Sequence, residues 1–230
     1  MTSFGSGVAS IRFLDYRLLM DLFYGAFSGN SSRAIFGLEE SGLAYNARAI
    51  DARGGENKSA AYLAVNPMGK IPALTDGALR LWESNAINWY AAEKAPHARL
   101  IPSSLAGRAS MQRWLFFQAQ HVTPASIQLF RATNSRMQAF WQFKPDLQAA
   151  EQGRKELARY LPVLDQALAD RDWLERDFSL ADIAYAPHLW LIAEGGFDFT
   201  PYPAVRAWLD RLLARPAWRK TEELVFSSHP

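Results

Sequence analysis

Few residues in this chain could serve as a nucleophile or hold a metal. The sequence has 230 residues and no cysteine, which excludes disulfides, thiolate metal sites and a protein thiol nucleophile. Its four histidines, His97, His121, His188 and His229, lie far apart, and no HExxH motif is present. No GxSxG, GxGxxG or GxxxxGKS/T motif occurs either, which argues against the common hydrolase, dinucleotide and P-loop sites.

Two polar segments stand at predicted helix starts. Segment 27–33 (FSGNSSR) follows the first predicted strand, and Glu83-Ser84 precedes a later helix. A helix N-terminus presents unpaired N–H groups and a partial positive charge, so it can bind an anion. On the pattern alone, serine and asparagine at these places favour simple helix caps, with Ser84 as an N-cap.

Composition indicates an ordinary globular protein. Hydrophobic residues make up 49% of the chain and charged residues 21%. The 25 basic and 23 acidic residues give a net charge of +2 without basic runs, so nothing indicates nucleic-acid binding. The apolar runs are too short to predict a transmembrane helix.

Residues 1–19 are predicted to be a flexible N-terminal extension. Glycine and serine occupy positions 5–7, and charged residues at 12, 15 and 17 interrupt the apolar ones. No secretory signal is therefore expected. The regular pattern, and with it the predicted fold, begins at Met20.

The first half of the chain predicts an α/β domain over residues 20–97. Asp76-Gly77 is a strong hairpin signal, and Gly42 is placed to end a helix. The predicted elements are a strand 20–24, a helix 31–41, a strand 45–50, a short helix 59–65, strands 72–75 and 79–82, and a helix 84–94. This order gives a four-stranded mixed sheet, the thioredoxin-like arrangement.

The remainder, over residues 106–225, predicts an all-α domain after a linker at 97–106. Leucines at 157, 161, 164 and 168 lie on one helix face, which Pro162 should kink unless it lies near the first turn. Ser179 and Asp182 have the spacing of a capping box. A last helix is expected to stop before Pro216.

Four segments together resemble the cytosolic glutathione transferase family. They are NPMGKIPAL at 66–74, LWESNAI at 81–87, FSLADIA at 178–184 and PYPAVRAW at 201–208. The resemblance extends over about 20–220. Within the family, the chain is similar to serine-type bacterial members of the theta or nu class. The resemblance implies a thioredoxin-like domain that binds glutathione, followed by the all-helical domain.

The resemblance assigns glutathione-binding roles to residues of this sequence. The Ile71-Pro72 bond is expected to be cis, and Ile71 to pair its backbone with the cysteinyl unit of glutathione. Glu83 would take the ligand's ammonium group, and Ser84 with its helix N-terminus the α-carboxylate. Candidates for the glycyl carboxylate are Lys70, Asn57 and Lys58.

The resemblance also implies a residue that activates the glutathione thiol. Ser28 lies where theta and delta members have a catalytic serine, and Asn30 where the nu class has an asparagine. A group that donates a hydrogen bond to sulfur favours the thiolate and lowers the thiol pKa. Both residues are candidates, and capping of the helix remains the alternative for each.

An apolar second substrate is expected between the two domains. Its candidate wall residues are Phe27, Trp114, Phe117, His121 and Phe130, although aromatic residues at helical spacing more often belong to a core. Cysteine-dependent chemistry is excluded for this chain, and Tyr24 is placed to pack within its strand rather than to activate the thiol.

The resemblance implies conjugation of glutathione to an apolar electrophile, with no metal or nucleotide. Two alternatives are a glutathione-dependent disulfide or peroxide reductase of the same fold, and a binding or scaffold protein without catalysis. The family also implies a homodimer, cytoplasmic localisation, and neither a nucleic-acid partner nor a membrane partner.

Overall fold

The computed structural model of this chain describes residues 20–227, so the predicted extension 1–19 lies outside the described residues. The first part of the described chain is a four-stranded sheet with helices, and the rest is helical. This arrangement confirms the predicted fold class, a thioredoxin-like domain followed by an all-helical domain.

The sheet has the strand order β2-β1-β3-β4. Its strands are β1 (Met20–Tyr24), β2 (Tyr45–Ala49), β3 (Ala73–Asp76) and β4 (Leu79–Trp82). Strand β1 runs parallel to β2 and antiparallel to β3, and β3 and β4 form the predicted hairpin. Gly77 lies in its turn with a φ of 56°, which suits a glycine.

Three helices accompany the sheet: α1 (Gly29–Ser41), α2 (Ala60–Leu63) and α3 (Ser84–Lys94). The Ser28 hydroxyl caps the start of α1, and Gly42, with a φ of 68°, ends it as predicted. Helix α1 packs against α3 and against two helices of the second half. The N-terminus of α1 is therefore held between the two halves of the protein.

The second half of the described chain is all helical. Its helices are α4 (Leu105–Phe117), α5 (Thr123–Thr133), α6 (Ser135–Trp141), α7 (Leu147–Leu168), α8 (Leu180–Glu194), α9 (Pro203–Leu213) and α10 (Pro216–Phe226). A π-helical stretch, Gln118–Val122, joins α4 to α5. No helix within 20–227 has the length and hydrophobicity needed to cross a bilayer.

Helix α8 forms the centre of the helical half. Every side chain from 180 to 192 is buried. Its N-terminus has the predicted capping box. The Ser179 side chain accepts from a backbone N–H of the first turn, and the Asp182 side chain accepts from the Ser179 N–H. Helix α8 packs against α1, so it brings buried polar groups close to the loop after β1.

Two sequence predictions are wrong at element ends. The Ser84 side chain does not cap α3; it accepts a hydrogen bond from Arg33 instead, and Glu83 holds the N-cap position. The helix that stops before Pro216 is not the last one, since Pro216 begins α10. Proline suits the first turn of a helix as well as the residue beyond its end.

Candidate functional site

Ser28 is half-buried at the point where β1 leads into α1. Its Oγ accepts from the Ser31 N–H at 3.2 Å, and the Ser31 hydroxyl in turn accepts from the Gly25 N–H at 3.1 Å. Since a hydroxyl that accepts a hydrogen bond still has its own proton to give, Ser28 can cap α1 and donate to a ligand at once. The helix cap that the sequence pattern favours and the thiol-activating role that the resemblance implies are therefore compatible.

The residue before Ser28 ties this loop to the helical half. Phe27 has a φ of 50°, and its N–H donates to the Val225 carbonyl at 3.1 Å. Its own carbonyl accepts from Trp141 Nε1 at 2.8 Å, while its ring stacks on Phe140 with centroids 4.6 Å apart. These contacts fix the backbone from which Ser28 projects.

Asn30 and Ser84 are brought together by a buried arginine. Arg33 Nη1 donates to Asn30 Oδ1 at 2.9 Å and to Ser84 Oγ at 2.8 Å. Asn30 is at the start of α1 and Ser84 at the start of α3. Asn30, a candidate thiol activator, and Ser84, the candidate carboxylate-binding residue, thus accept hydrogen bonds from the same nitrogen atom.

Arg33 is buried, with an exposure of only 4%, and all of its N–H groups are paired within the protein. Arginine has five N–H bonds, and each is matched by a neutral acceptor at 2.8 to 3.1 Å. The acceptors are Ala184 O, Asn30 Oδ1, Ser84 Oγ, Thr123 Oγ1 and His188 Nδ1. Burial lowers the Arg33 pKa to about 10, and the charge of Glu83 acts in the opposite direction.

His188 on α8 has a defined protonation state. Because Arg33 can only donate, His188 Nδ1 must accept, so the ring is neutral with its proton on Nε2. Burial, followed by the charge of Arg33, lowers the pKa of His188 well below its usual range. A Cβ on Gly29 would lie 3.0 Å from His188 Nε2, so the ring lies directly against the start of α1.

The segment before β3 lies beside the same loop. The Ile71-Pro72 peptide bond is cis, as the family resemblance implied. A Cβ on Gly25 would clash with Ile71 Cδ1, so the two segments are in close contact. The Lys70 carbonyl accepts from Tyr62 Oη at 2.7 Å, which holds this segment, while the Lys70 side chain is exposed.

Asn57 and Lys58 both contact the turn that precedes Lys70. Asn57 Nδ2 donates to the Gly69 carbonyl at 2.7 Å, and Lys58 Nζ donates to the same oxygen at 3.0 Å. Asn57 Oδ1 is buried and has no partner among the described residues. Since a carboxylate needs donors, Lys58 and Lys70 suit the glycyl carboxylate better than Asn57 in this orientation.

Glu83 is exposed and has an unusual backbone. Its φ of 71° and ψ of 112° lie where residues with a side chain are rare, and its carboxylate makes no capping bond to α3. Such backbone strain is concentrated at ligand sites. The strained residue stands directly before buried Ser84, at the N-terminus of α3.

The aromatic residues proposed for the second substrate do not share a cavity. A cavity of about 630 Å³ lies between the domains and is lined by Ala26, Ile50, Arg53, Phe140 and Trp141, among others. Phe27 adjoins it through its stack on Phe140.

A separate cavity of about 530 Å³ in the helical half contains Trp114 and Phe117. The His121 ring packs 5.4 Å from Phe117 and 5.1 Å from Tyr160. Phe130 is buried at 5% exposure, with its ring 6.2 Å from His188. Of the five candidates, only Phe27 therefore lies next to the cavity between the domains.

Sequence reasoning missed Arg33, His188, Phe140 and Trp141. Arg33 carried one signal, because a cation near a helix N-terminus opposes the helix dipole and α1 has no acidic residue in its first turn. The described residues contain no group of three or more histidine or acidic side chains that could hold a metal ion.

Comparison with known proteins gives one family. The glutathione S-transferase N-terminal domain model matches residues 27–94, and the C-terminal domain model matches 127–216. Glutathione S-transferase F9 of Arabidopsis thaliana is 31% identical over 204 residues, which cover 86% of this chain and 94% of that protein. GstB of Escherichia coli strain K12 is 33% identical over 196 residues, covering 84% and 92%.

Solved structures agree with these relatives. The theta class glutathione S-transferase from Xanthomonas axonopodis pv. citri, with glutathione bound, has a TM-score of 0.80 and 30% identity, covering 90% of this chain and 97% of that one. Glutathione S-transferase-I bound with lactoylglutathione has a TM-score of 0.81 and 29% identity, covering 90% and 99%.

Proposed function

Because this chain belongs to the glutathione S-transferase family and is a glutathione transferase with glutathione as its co-substrate, we propose that it activates the glutathione thiol and conjugates it to an apolar electrophile. The observation that carries the proposal is the group of donors at the start of α1. There the Ser28 hydroxyl accepts from the Ser31 N–H and the Asn30 amide oxygen accepts from buried Arg33, which leaves the hydroxyl proton and the NH₂ group to donate.

The proposed placement of glutathione follows from the polar groups around this loop. The α-carboxylate binds at Ser84 and the N-terminus of α3, where a hydroxyl and unpaired N–H groups are available. The ammonium group pairs with Glu83, and the cysteinyl backbone lies along Ile71. The glycyl carboxylate is bound by Lys58 and Lys70, with Asn57 supporting the turn that carries them.

In the proposed reaction, bound glutathione loses its thiol proton to solvent and the sulfur attacks the electrophile. Donors from Ser28 and Asn30 stabilise the thiolate and lower its pKa. The new bond joins sulfur to the electrophilic atom, whose leaving group departs with the displaced electron pair. The cavity between the domains, lined by Phe140 and Trp141, accepts the apolar part of the second substrate.

The first test measures glutathione affinity by calorimetry and the thiol pKa of bound glutathione from its ultraviolet thiolate absorbance. We expect a depressed thiol pKa in the wild type, raised in both Ser28→Ala and Asn30→Ala. Ser103→Ala, an exposed serine, is the matched control and should behave as the wild type. Failure of the wild type to bind glutathione would overturn the proposal in favour of a scaffold role.

A second test separates conjugation from reduction. Turnover is measured with a chlorodinitrobenzene as the electrophile and with the mixed disulfide of glutathione and mercaptoethanol as the reducible substrate. Conjugation predicts turnover of the aryl halide. Turnover of the disulfide alone would replace the proposal with the reductase alternative, in which bound glutathione attacks a disulfide without a protein cysteine.

We further propose that the protein is a homodimer located in the cytoplasm. Phe116 on α4 is 63% exposed and Trp82 on the edge strand β4 is 38% exposed, and large apolar side chains at the surface mark interaction sites. Light scattering of the wild type and of Phe116→Asp tests the dimer. The wild type should have twice the mass of one chain, and the variant should dissociate.

A further inference from the structure

We propose that Arg33 is a positioning residue that gives the glutathione site its donor character: it occupies the acceptor atoms of Asn30 and Ser84, so that both side chains offer only donors to the ligand. The inference rests on the proposed function, because it takes glutathione to be the ligand at these two side chains.

The carboxamide of Asn30 has an oxygen that accepts and a nitrogen that donates. Arg33 Nη1 lies 2.9 Å from Oδ1, and a guanidinium has no acceptor, so the oxygen must face the arginine. The NH₂ group then points the other way, and within 20–227 no group accepts a hydrogen bond from it. A thiolate needs such a donor, since hydrogen bonds to the charged form lower the pKa.

Ser84 is oriented by the same nitrogen. Its Oγ accepts from Arg33 Nη1 at 2.8 Å, so its single proton is left to donate in another direction. The residue is the first of α3, where the backbone N–H groups also face outward. A carboxylate at this place therefore meets donors from the side chain and from the backbone.

The guanidinium can orient Asn30 and Ser84 because contacts with the helical half hold it in place. Three of its five bonds go to Ala184 O, Thr123 Oγ1 and His188 Nδ1, at 2.9 to 3.1 Å. A lysine ammonium at this position has three donors and no planar fork, so it could not satisfy these groups and both ligand-facing side chains. The neutral state of His188 is part of the arrangement, because a protonated ring would present an N–H to Arg33.

The charge of Arg33 also remains available to an anion. Within the described residues no carboxylate forms a salt bridge with it, and all five acceptors are neutral. Charged groups interact more strongly where water is excluded. A thiolate next to Asn30 and a carboxylate next to Ser84 would each lie one side chain away from this cation.

The sharpest test is Asn30→Asp, which keeps an oxygen for Arg33 and removes the NH₂ donor. We expect the thiolate fraction of bound glutathione at neutral pH to fall at least tenfold. The melting temperature should stay the same or rise, because the buried cation gains a charged partner. A purely structural role would instead lower stability and thiolate fraction together. Gln148→Glu, the same exchange at an exposed site on α7, is the matched control and should change neither.

A second measurement tests whether Arg33 acts through Asn30. Arg33→Lys keeps the charge and loses the fork, so it should lower the thiolate fraction several-fold in the wild-type background. In the Asn30→Ala background it should change little, because the group that it orients is gone. Equal effects in both backgrounds would overturn the positioning role. If Arg33→Lys does not fold, Arg33→Gln makes the same comparison in both backgrounds, because it also loses the guanidinium fork.

The outcomes separate this inference from the proposed function. If the wild type does not bind glutathione, both fail. If the wild type binds glutathione with a depressed thiol pKa while Asn30→Asp leaves the thiolate fraction unchanged, only the role assigned to Arg33 is overturned.

Discussion

Glu83 joins a candidate ligand contact to a strained backbone. Its φ is 71°, and its carbonyl accepts from the Ile87 N–H at 3.0 Å in the first turn of α3. A residue with a side chain in such a conformation costs about 1–3 kcal/mol. Glu83 is exposed, so the ammonium group of a bound glutathione could reach its carboxylate.

Replacing Glu83 by glycine or by alanine separates the two properties. Both changes remove the carboxylate, and both should weaken glutathione binding at least tenfold in calorimetry. Only glycine relieves the strain, so Glu83→Gly should be more stable than Glu83→Ala by about 1 kcal/mol in urea unfolding. Equal stabilities would contradict the strain, and unchanged affinity in both would remove Glu83 from the ligand site.

The sequence identified the polar residues near helix starts as candidates. It could not show the hydrogen bonds through which Arg33 links them. Ser28, Asn30 and Ser84 stand out because serine and asparagine at a helix N-terminus have a local meaning. The contacts of Arg33 with Ser84 and His188 join positions 51 and 155 residues away. No local pattern reports such contacts, so the sequence indicated only that a cation opposed the dipole of α1.

At the scale of the element, α8 depends on its buried capping box. Asp182 is fully buried and accepts from the N–H groups of Leu174 and Ser179 at 2.9 Å and from Trp208 Nε1 at 3.1 Å. The carboxylate thus joins the start of α8 to the preceding loop and to α9. The motif is local, which explains why the sequence predicted it correctly.

Asp182→Ala should destabilise the protein strongly and alter catalysis little. The Ser179 hydroxyl also donates to this carboxylate at 3.2 Å, so four hydrogen bonds are lost and their donors are left unpaired, which costs about 3 kcal/mol or more. Thermal unfolding should show a large fall in melting temperature, while turnover per folded molecule stays close to that of the wild type. Ser179→Ala removes only one of the partners of Asp182, so its melting temperature should lie between those of the wild type and Asp182→Ala. A loss of turnover with unchanged melting temperature would contradict the structural role.

The same helix carries two groups whose protonation acts on stability in opposite directions. Burial lowers the pKa of His188 well below the value of about 6.5 expected when unfolded, so below that pH only the unfolded chain binds the proton and stability falls. Burial raises the pKa of Asp182 to about 6, so between about pH 6 and 4 the folded chain holds the proton and stability rises on acidification.

His188→Asn isolates the first of these effects, because asparagine offers Arg33 an acceptor that does not titrate. Between about pH 7 and pH 5, the stability of the variant should improve relative to the wild type by about 2 kcal/mol. Urea unfolding of both proteins at the two pH values measures the difference. Parallel changes in the two proteins would show that His188 does not titrate as its burial implies.

Element ends were less predictable than element types. Pro216 is read equally well as a stop signal and as the first residue of a helix, and its place in α10 is decided by packing of Trp218 and Phe226 against the core. Ser84 illustrates the same limit, since its hydroxyl accepts a hydrogen bond from Arg33 and none from the N–H groups of α3. Tertiary contacts override the local preference in both cases.

At the scale of the whole molecule, the succession of strands and helices along the chain followed from the sequence, and the grouping of the aromatic residues did not. The alternating apolar pattern and the Asp76-Gly77 turn determine the sheet locally. Trp114 and Phe117 face a cavity within the helical half, whereas Phe140 and Trp141 face the one between the domains. Spacing on one helix identifies a shared face but not the neighbour that the face meets.

The two halves are joined by contacts that the first half cannot replace. Three of the five acceptors of Arg33 come from the helical half, and the Phe27 backbone bonds to Val225 and Trp141. Arg215 also forms two hydrogen bonds, at 2.6 and 2.7 Å, with Glu40 on α1. An isolated first half would lose three of the five acceptors of Arg33 and would expose to water the face of α1 that α8 and α10 cover.

We therefore expect the chain to unfold as one unit. Far-ultraviolet circular dichroism and tryptophan fluorescence should give coincident urea transitions for the full chain. A fragment of residues 1–104 should show no cooperative transition and no glutathione binding. The matched control is the full chain with a protease site inserted between 101 and 104, cut after folding, because its halves keep their contacts and should stay associated and bind glutathione. If the fragment alone bound glutathione with the affinity of the full chain, the anchoring of Arg33 by the helical half would be unnecessary for the site.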